Sequence, residues 1–147
     1  MNPILLGLSI IVMGSFLGGY TLETIRGNVV DTRLEYQYND LKILYKLVCD
    51  KKPPLHTVQV KLLNMDILGQ CQPGTFRNVI TINEEFLNTA SNDYVMTILA
   101  HEMSHCFLNN HHKNDHDNYM DAVPRSDLGQ LKLYTQFVRD VYESCRD

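Results

Sequence analysis

The stretch LAHEMSHCFLNNHHKNDHDNYMD, residues 99–121, holds five of the six histidines of this 147-residue chain. Its HEMSH segment, residues 101–105, is an HExxH motif. Ser91 as a capping residue and the apolar residues after it predict a helix over 93–109. On such a helix His101 and His105 lie about 40° apart, so both imidazoles can reach one Zn²⁺, with Glu102 beside them. The motif therefore predicts a metal-centred site on a helix.

The third metal ligand has to come from outside the motif, because a catalytic zinc site usually takes three protein ligands. In the pattern HExxHxxGxxH the helix stops at a glycine and a third histidine returns to the metal. Leu108 occupies the glycine position here, and strict spacing then makes His111 the ligand. If the chain turns instead at Asn109, which tolerates the left-handed conformation, the ligand is His112. We favour His112, with His111 as the alternative; a third hypothesis uses Glu143 on the last helix.

The rest of the chain predicts a small α+β domain with a short mixed sheet. An amphipathic helix is indicated by the spacing of apolar residues at Leu34, Tyr38, Leu41, Leu44, Tyr45 and Val48. Strands are predicted over 57–63 and 77–83, with a possible third in ILGQC (67–71), and a short helix over 84–90. A C-terminal helix is predicted from Ser126, with a core-facing stripe at Leu131, Tyr134, Val138, Val141 and Cys145.

The N-terminus differs in composition from the rest. Residues 1–22 carry no charged side chain, and 4–22 are long enough to cross a ~30 Å hydrocarbon core as a helix. We therefore predict a signal peptide or membrane anchor over 1–26 and a single extracytoplasmic domain over 27–147, which contacts the membrane only through that segment.

The four cysteines, Cys49, Cys71, Cys106 and Cys145, allow two disulfides in any of three connectivities, or four buried thiols. Cys106 is expected in the core or in a disulfide rather than on the metal. The net charge of −4 disfavours non-specific binding of nucleic acid, so we expect no nucleic-acid partner.

A family resemblance extends over about residues 77–124. The stretch NVITINEEFLNTASNDYVMTILAHEMSHCFLNNHHKNDHDNYMDAV resembles small exported zinc metalloproteases of the metzincin type, with a helix of the form HELGHCxLxRxH and an SIMNP-like Met-turn. The matching residues are His101, Glu102, His105, Cys106, Leu108, Asn109, His112 and Met120. The departures are Ser104 for Gly, Asn110 for Arg, Tyr119 for Ile and Asp121 for Asn or another small residue.

The resemblance implies a zinc-dependent endopeptidase acting on protein or peptide substrates. The zinc would activate a water, Glu102 would serve as general base, and Met120 would form a hydrophobic floor under the site. The strand 77–83 would pair with an extended peptide, and the last helix would pack behind the Met-turn. The alternative is a catalytically inactive, zinc-stabilised and membrane-tethered interaction domain.

Three further histidine or tyrosine positions are predicted to have no part in the chemistry. His116 is expected on the surface beside solvated aspartates, and Tyr119 is expected to serve in packing. His56 is expected to be an ordinary loop residue.

Overall fold

The computed structural model describes residues 27–146. The segment 1–26, for which a signal peptide or anchor is predicted, lies outside these residues. Among the described residues, none of the helices combines the length and the apolar character needed to cross a membrane.

The chain folds as a small α+β domain. Its strands are β1 (Val29–Val30), β2 (His56–Lys61), β3 (Gly69–Gln72) and β4 (Asn78–Asn83). Its α-helices are α1 (Glu35–Val48), α2 (Glu84–Thr89), α3 (Asn92–Leu108) and α4 (Gln130–Cys145), with a 3₁₀ turn at Thr32–Leu34. From α1 onward these elements confirm the predicted order, including the strand that the sequence indicated only weakly, whereas β1 was not predicted.

The sheet is mixed, in the order β1-β2-β4-β3. β1, β2 and β4 run parallel, whereas β3 runs antiparallel to β4 and forms an edge. β4 is hydrogen-bonded on both sides, so the expectation that strand 77–83 pairs with a substrate is wrong. The strand at the edge of the sheet beside α3 is instead β3. It is only four residues long, so its sequence shows little of the alternation of apolar and polar residues that indicates a strand.

Helix α3 lies at the centre of the fold. It packs on β3 and β4 on one side and on α1 and α4 on the other. Most of its residues are buried, from Val95 to Cys106. A helix that is surrounded in this way has little freedom to move, so the HExxH side chains stand on a rigid support.

The C-terminal helix differs from the prediction in two ways. It begins at Gln130 rather than Ser126, because the chain enters it through Gly129 at φ 81°, a conformation that favours glycine. Its buried stripe is Leu133, Phe137 and Val141, whereas Leu131 is 83% exposed. Of the predicted stripe, Val141 is buried and Tyr134 and Cys145 are partly buried and pack against the core, so the prediction is wrong for the rest of the stripe.

Two disulfides close the domain. Cys49 at the end of α1 is bonded to Cys145 at the end of α4, and Cys71 of β3 is bonded to Cys106 of α3. The pairing is one of the three connectivities predicted, and the alternative of free thiols is wrong. Cys106 is therefore in a disulfide, as expected.

His56 is a core residue, and its prediction as a loop residue is wrong. It begins β2 and is fully buried. Its Nδ1 lies 2.7 Å from the carbonyl of Pro54, which can only accept, so Nε2 accepts the proton of the Tyr38 hydroxyl at 2.8 Å. The histidine is thus held neutral by partners at both ring nitrogens.

Acid should destabilise the protein through His56. Burial lowers the pKa of this histidine, so below its ordinary pKa of about 6.5 the unfolded chain binds a proton that the folded chain does not. Stability therefore falls as the pH falls through that value. We expect the free energy of unfolding, measured with urea, to drop less between about pH 7 and pH 5 in His56→Gln than in the wild type. The same substitution at exposed His111 is the control, and equal drops in His56→Gln and wild type would contradict the expectation.

Candidate metal centre

The end of α3 turns the chain back towards the HExxH motif. Asn109 adopts the left-handed conformation, at φ 53° and ψ 30°, and among residues 27–146 it is the one non-glycine residue with a positive φ. Its backbone N–H donates to the carbonyl of Ser104. The prediction of a turn at Asn109 is confirmed. The following residues then run back along the helix, where the Lys113 N–H donates to the Met120 carbonyl at 2.8 Å.

This turn brings a third imidazole to the two of the motif. The Nε2 atom of His101 lies 3.0 Å from that of His105 and 3.2 Å from that of His112. One nitrogen from each of the three rings lies within 4.8 Å of the others. His111 is exposed and outside this cluster, and Glu143 lines a separate cavity. The geometry thus brings together the favoured set of three histidines and neither alternative.

Backbone carbonyls fix the orientation of two of these rings. The Nδ1 of His101 lies 2.8 Å from the Tyr119 carbonyl, and the Nδ1 of His105 lies 2.6 Å from the Asn110 carbonyl. Because a carbonyl only accepts, each Nδ1 carries the proton and each Nε2 presents a lone pair. The lone pairs of His101 and His105 therefore face each other, an arrangement that a cation between them would stabilise.

The donor set fits zinc. Two nitrogens that each lie about 2.0–2.1 Å from one tetrahedral Zn²⁺ are about 3.4 Å apart, close to the 3.0 and 3.2 Å found here. Burial lowers the pKa of His101 to about 4 and lowers that of His105 as well. Both rings are thus neutral near pH 7, and the neutral imidazole is the form that binds a metal. These residues could hold a divalent metal ion.

Glu102 lies between α3 and the edge strand. Its side chain is buried, with 6% of the residue exposed, and burial raises the pKa of the carboxyl to about 7, although a backbone hydrogen bond from Cys71 opposes the rise. Gly69 leaves room for this side chain, since a Cβ there would lie 3.0 Å from Glu102 Cγ, a tight contact. A carboxyl group with a pKa near 7 can both take up and release a proton.

A cleft of about 360 Å³ opens above these residues. Its polar floor is made of the three histidines and Glu102, and its walls include Leu68 of the β2–β3 connection and Val123 of the loop before α4. Groups that could bind a metal and a group that can transfer a proton thus share one solvent-accessible space.

The loop after the cluster carries the other residues that the sequence singled out. Met120 is fully buried, and its N–H donates to the Asn118 side chain at 2.9 Å. The Tyr119 side chain is buried, as expected for packing, but its hydroxyl is also hydrogen-bonded, to Asp140 and away from the cleft. His116 is on the surface, as expected, but its Nδ1 lies 2.6 Å from the buried carboxylate of Asp121.

The sequence analysis assigned no role to three residues behind the cluster. The buried residues Ser104 and Asp140 and the half-buried Lys113 form a polar network with the Tyr119 hydroxyl. The sequence offered one indication of this network, because Ser104 and Tyr119 both differ from the residues found in the resembled metalloprotease pattern. Asp140 gave no signal, because an aspartate on an amphipathic helix is ordinarily solvated.

Comparison with known proteins identifies a family. The model of the SprT-like family matches residues 38–126, from α1 to just beyond the Met120 loop, and includes the histidine cluster and Glu102. This family is related to zinc metallopeptidases, and the match does not single out the metzincin type. No curated protein and no solved structure matches the chain.

Proposed function

This chain belongs to the SprT-like family, and from that premise we propose that it is a zinc-dependent endopeptidase. The observation that carries the proposal is the convergence of three imidazole Nε2 atoms beside a buried carboxyl group in one cleft. Support for the metzincin type comes from the left-handed turn at Asn109 and from the buried Met120 in the loop that follows.

Each residue has a defined part in the proposed reaction. His101, His105 and His112 would hold the metal, with the carbonyls of Tyr119 and Asn110 keeping two of the rings in the required tautomer. A bound Zn²⁺ would polarise the scissile carbonyl and lower the pKa of a water molecule. The Glu102 carboxylate would take the proton from that water and deliver it to the nitrogen of the leaving amine.

The edge of the sheet suggests how a substrate is held. Gly69 of β3 lines the cleft, and β3 is paired on one side only within the described part of the chain. An extended peptide would add to β3 through backbone hydrogen bonds, which place a peptide carbonyl above the histidines independently of the side-chain sequence. In this proposal β3 takes the place of strand 77–83 as the strand that pairs with the substrate.

An extracytoplasmic location is part of the proposal. It is supported by the uncharged stretch 1–22 and by two disulfides, which form and persist in oxidising compartments. The substrate would accordingly be a protein or peptide outside the cytoplasm.

Metal analysis of His112→Ala and His111→Ala tests the proposal. The two residues are adjacent and chemically identical, but only His112 joins the cluster. We expect one zinc per chain in the wild type and in His111→Ala, and a loss of zinc affinity of more than about 100-fold in His112→Ala, since removal of even an outer-shell partner costs 10- to 100-fold. Cleavage of unfolded protein should be chelator-sensitive and should follow the zinc content. Absence of stoichiometric zinc from the wild type, or its retention by His112→Ala, would refute the proposed site.

A further inference from the structure

A buried chain of polar groups connects the last helix to the metal site. The Tyr119 hydroxyl lies 3.0 Å from Asp140 Oδ2 and 2.9 Å from Ser104 Oγ. Lys113 Nζ lies 3.0 and 2.9 Å from the two oxygens of the Asp140 carboxylate. Ser104, Tyr119 and Asp140 are each at most 3% exposed. The network thus joins α3, the loop that follows it and α4 behind the histidine cluster.

The direction of each hydrogen bond in this network follows from which groups can donate and which can only accept. The Asp140 carboxylate only accepts, so both the lysine and the Tyr119 hydroxyl donate to it. Because the only hydroxyl proton of Tyr119 is donated to Asp140, Ser104 must donate its own proton to the Tyr119 oxygen. Each buried polar group of this network has a partner, and the half-buried Lys113 ammonium pairs with the Asp140 carboxylate, so no member of the network is left unsatisfied.

The same loop carries the supports of the metal ligands. The backbone carbonyl of Tyr119 accepts the Nδ1 proton of His101, while its side chain is anchored to Asp140. Lys113 is the neighbour of His112 in the chain, and its N–H donates to the Met120 carbonyl, next to Tyr119. Anchoring Lys113 and Tyr119 to one carboxylate therefore fixes both sides of the loop against α4.

We propose that Tyr119 and Asp140 are positioning residues, which hold the 110–121 loop so that His101 keeps its metal-binding tautomer and His112 stays at the cluster. This inference rests on the proposed function, because it assigns a purpose to the metal site. It also explains two departures from the resembled pattern together: Ser104 and Tyr119, in place of Gly and Ile, contact each other.

Tyr119→Phe tests the inference, with Tyr134→Phe as the matched control. Each substitution removes one hydroxyl that bonds to an aspartate, but Tyr134 reaches Asp40 on α1, away from the metal site. The zinc affinity of the full chain is measured by competition with a chelator, and the Co²⁺-substituted protein reports coordination by its visible absorption. We expect about tenfold weaker affinity and an altered Co²⁺ spectrum in Tyr119→Phe, with Tyr134→Phe unchanged in both.

A readout without metal separates positioning from simple loss of stability. In the metal-free wild type, ¹⁵N NMR should show His101 protonated at Nδ1, and in Tyr119→Phe this preference should weaken, whereas Tyr134→Phe should retain it. If Tyr119→Phe does not fold, Asp140→Asn is compared in the same assays with Glu143→Gln, a carboxylate on the same helix that lines the adjoining cavity.

The outcomes separate this inference from the proposed function. A wild-type chain that binds no zinc would overturn the proposed function and this inference with it. A wild type that binds zinc, with Tyr119→Phe matching Tyr134→Phe in affinity and spectrum, would overturn the positioning role alone.

Discussion

Glu102→Gln should lower the rate of peptide hydrolysis by about 10²–10⁴-fold, the range that general acid–base catalysis contributes. Glutamine has nearly the same shape and keeps an oxygen for the Cys71 backbone, but it cannot take up a proton. The histidine cluster is formed without Glu102, so the zinc affinity should remain close to that of the wild type.

The comparison requires kcat/KM on an unfolded protein substrate and the zinc content of each preparation. Glu143→Gln removes a carboxylate outside the cleft and should leave both quantities unchanged. Undiminished hydrolysis in zinc-loaded Glu102→Gln would show that the assigned mechanism is wrong. Zinc in the wild type without hydrolysis would favour the alternative of a zinc-stabilised interaction domain.

Removal of the Cys49–Cys145 disulfide should have the largest effect on stability. It closes a loop with a sequence separation of 96 residues, and in the chain-entropy model a loop of this size contributes about 4–5 kcal/mol to the free energy of unfolding. The double variant Cys49→Ala/Cys145→Ala should therefore unfold at a much lower urea concentration than the wild type. An unchanged midpoint would show that the bond does not constrain the unfolded chain.

The other disulfide is the natural control for this experiment. Cys71 and Cys106 are separated by only 35 residues, so their removal should cost less stability by the same entropy argument. Their bond, however, holds β3 against α3 beside Glu102, whose carboxylate is bonded to the backbone of Cys71. Hydrolysis by the folded protein should fall in the Cys71→Ala/Cys106→Ala variant and should persist in the Cys49→Ala/Cys145→Ala variant.

The parts of the site that follow from local geometry were predictable from the sequence. The helical face that joins His101 and His105 depends only on the periodicity of a helix. The turn at Asn109 depends on the tolerance of asparagine for the left-handed conformation, and it places His112 rather than His111 at the cluster. Both rules depend on a few consecutive residues, so they can be applied from the amino-acid sequence alone.

What the sequence did not reveal depends on contacts between distant elements. His56 is fully buried because α1 supplies Tyr38, which is 18 residues away along the chain. Asp140 is buried because Lys113 and Tyr119 come to it from another element. The pairing of four cysteines, the strand order and the buried stripe of α4 are likewise set by tertiary packing, which overrides local pattern.

The Cys49–Cys145 bond has a further consequence for a protein proposed to cut polypeptides. The stretch of chain between the two cysteines contains the whole candidate metal centre and the long loop 109–129 between α3 and α4. A single cleavage at any bond between the two cysteines therefore leaves both fragments covalently joined. A molecule cut once by itself or by another protease would migrate as one chain without reductant and as two with it. A single cut between Cys49 and Cys145 is thus invisible to a non-reducing measurement of size.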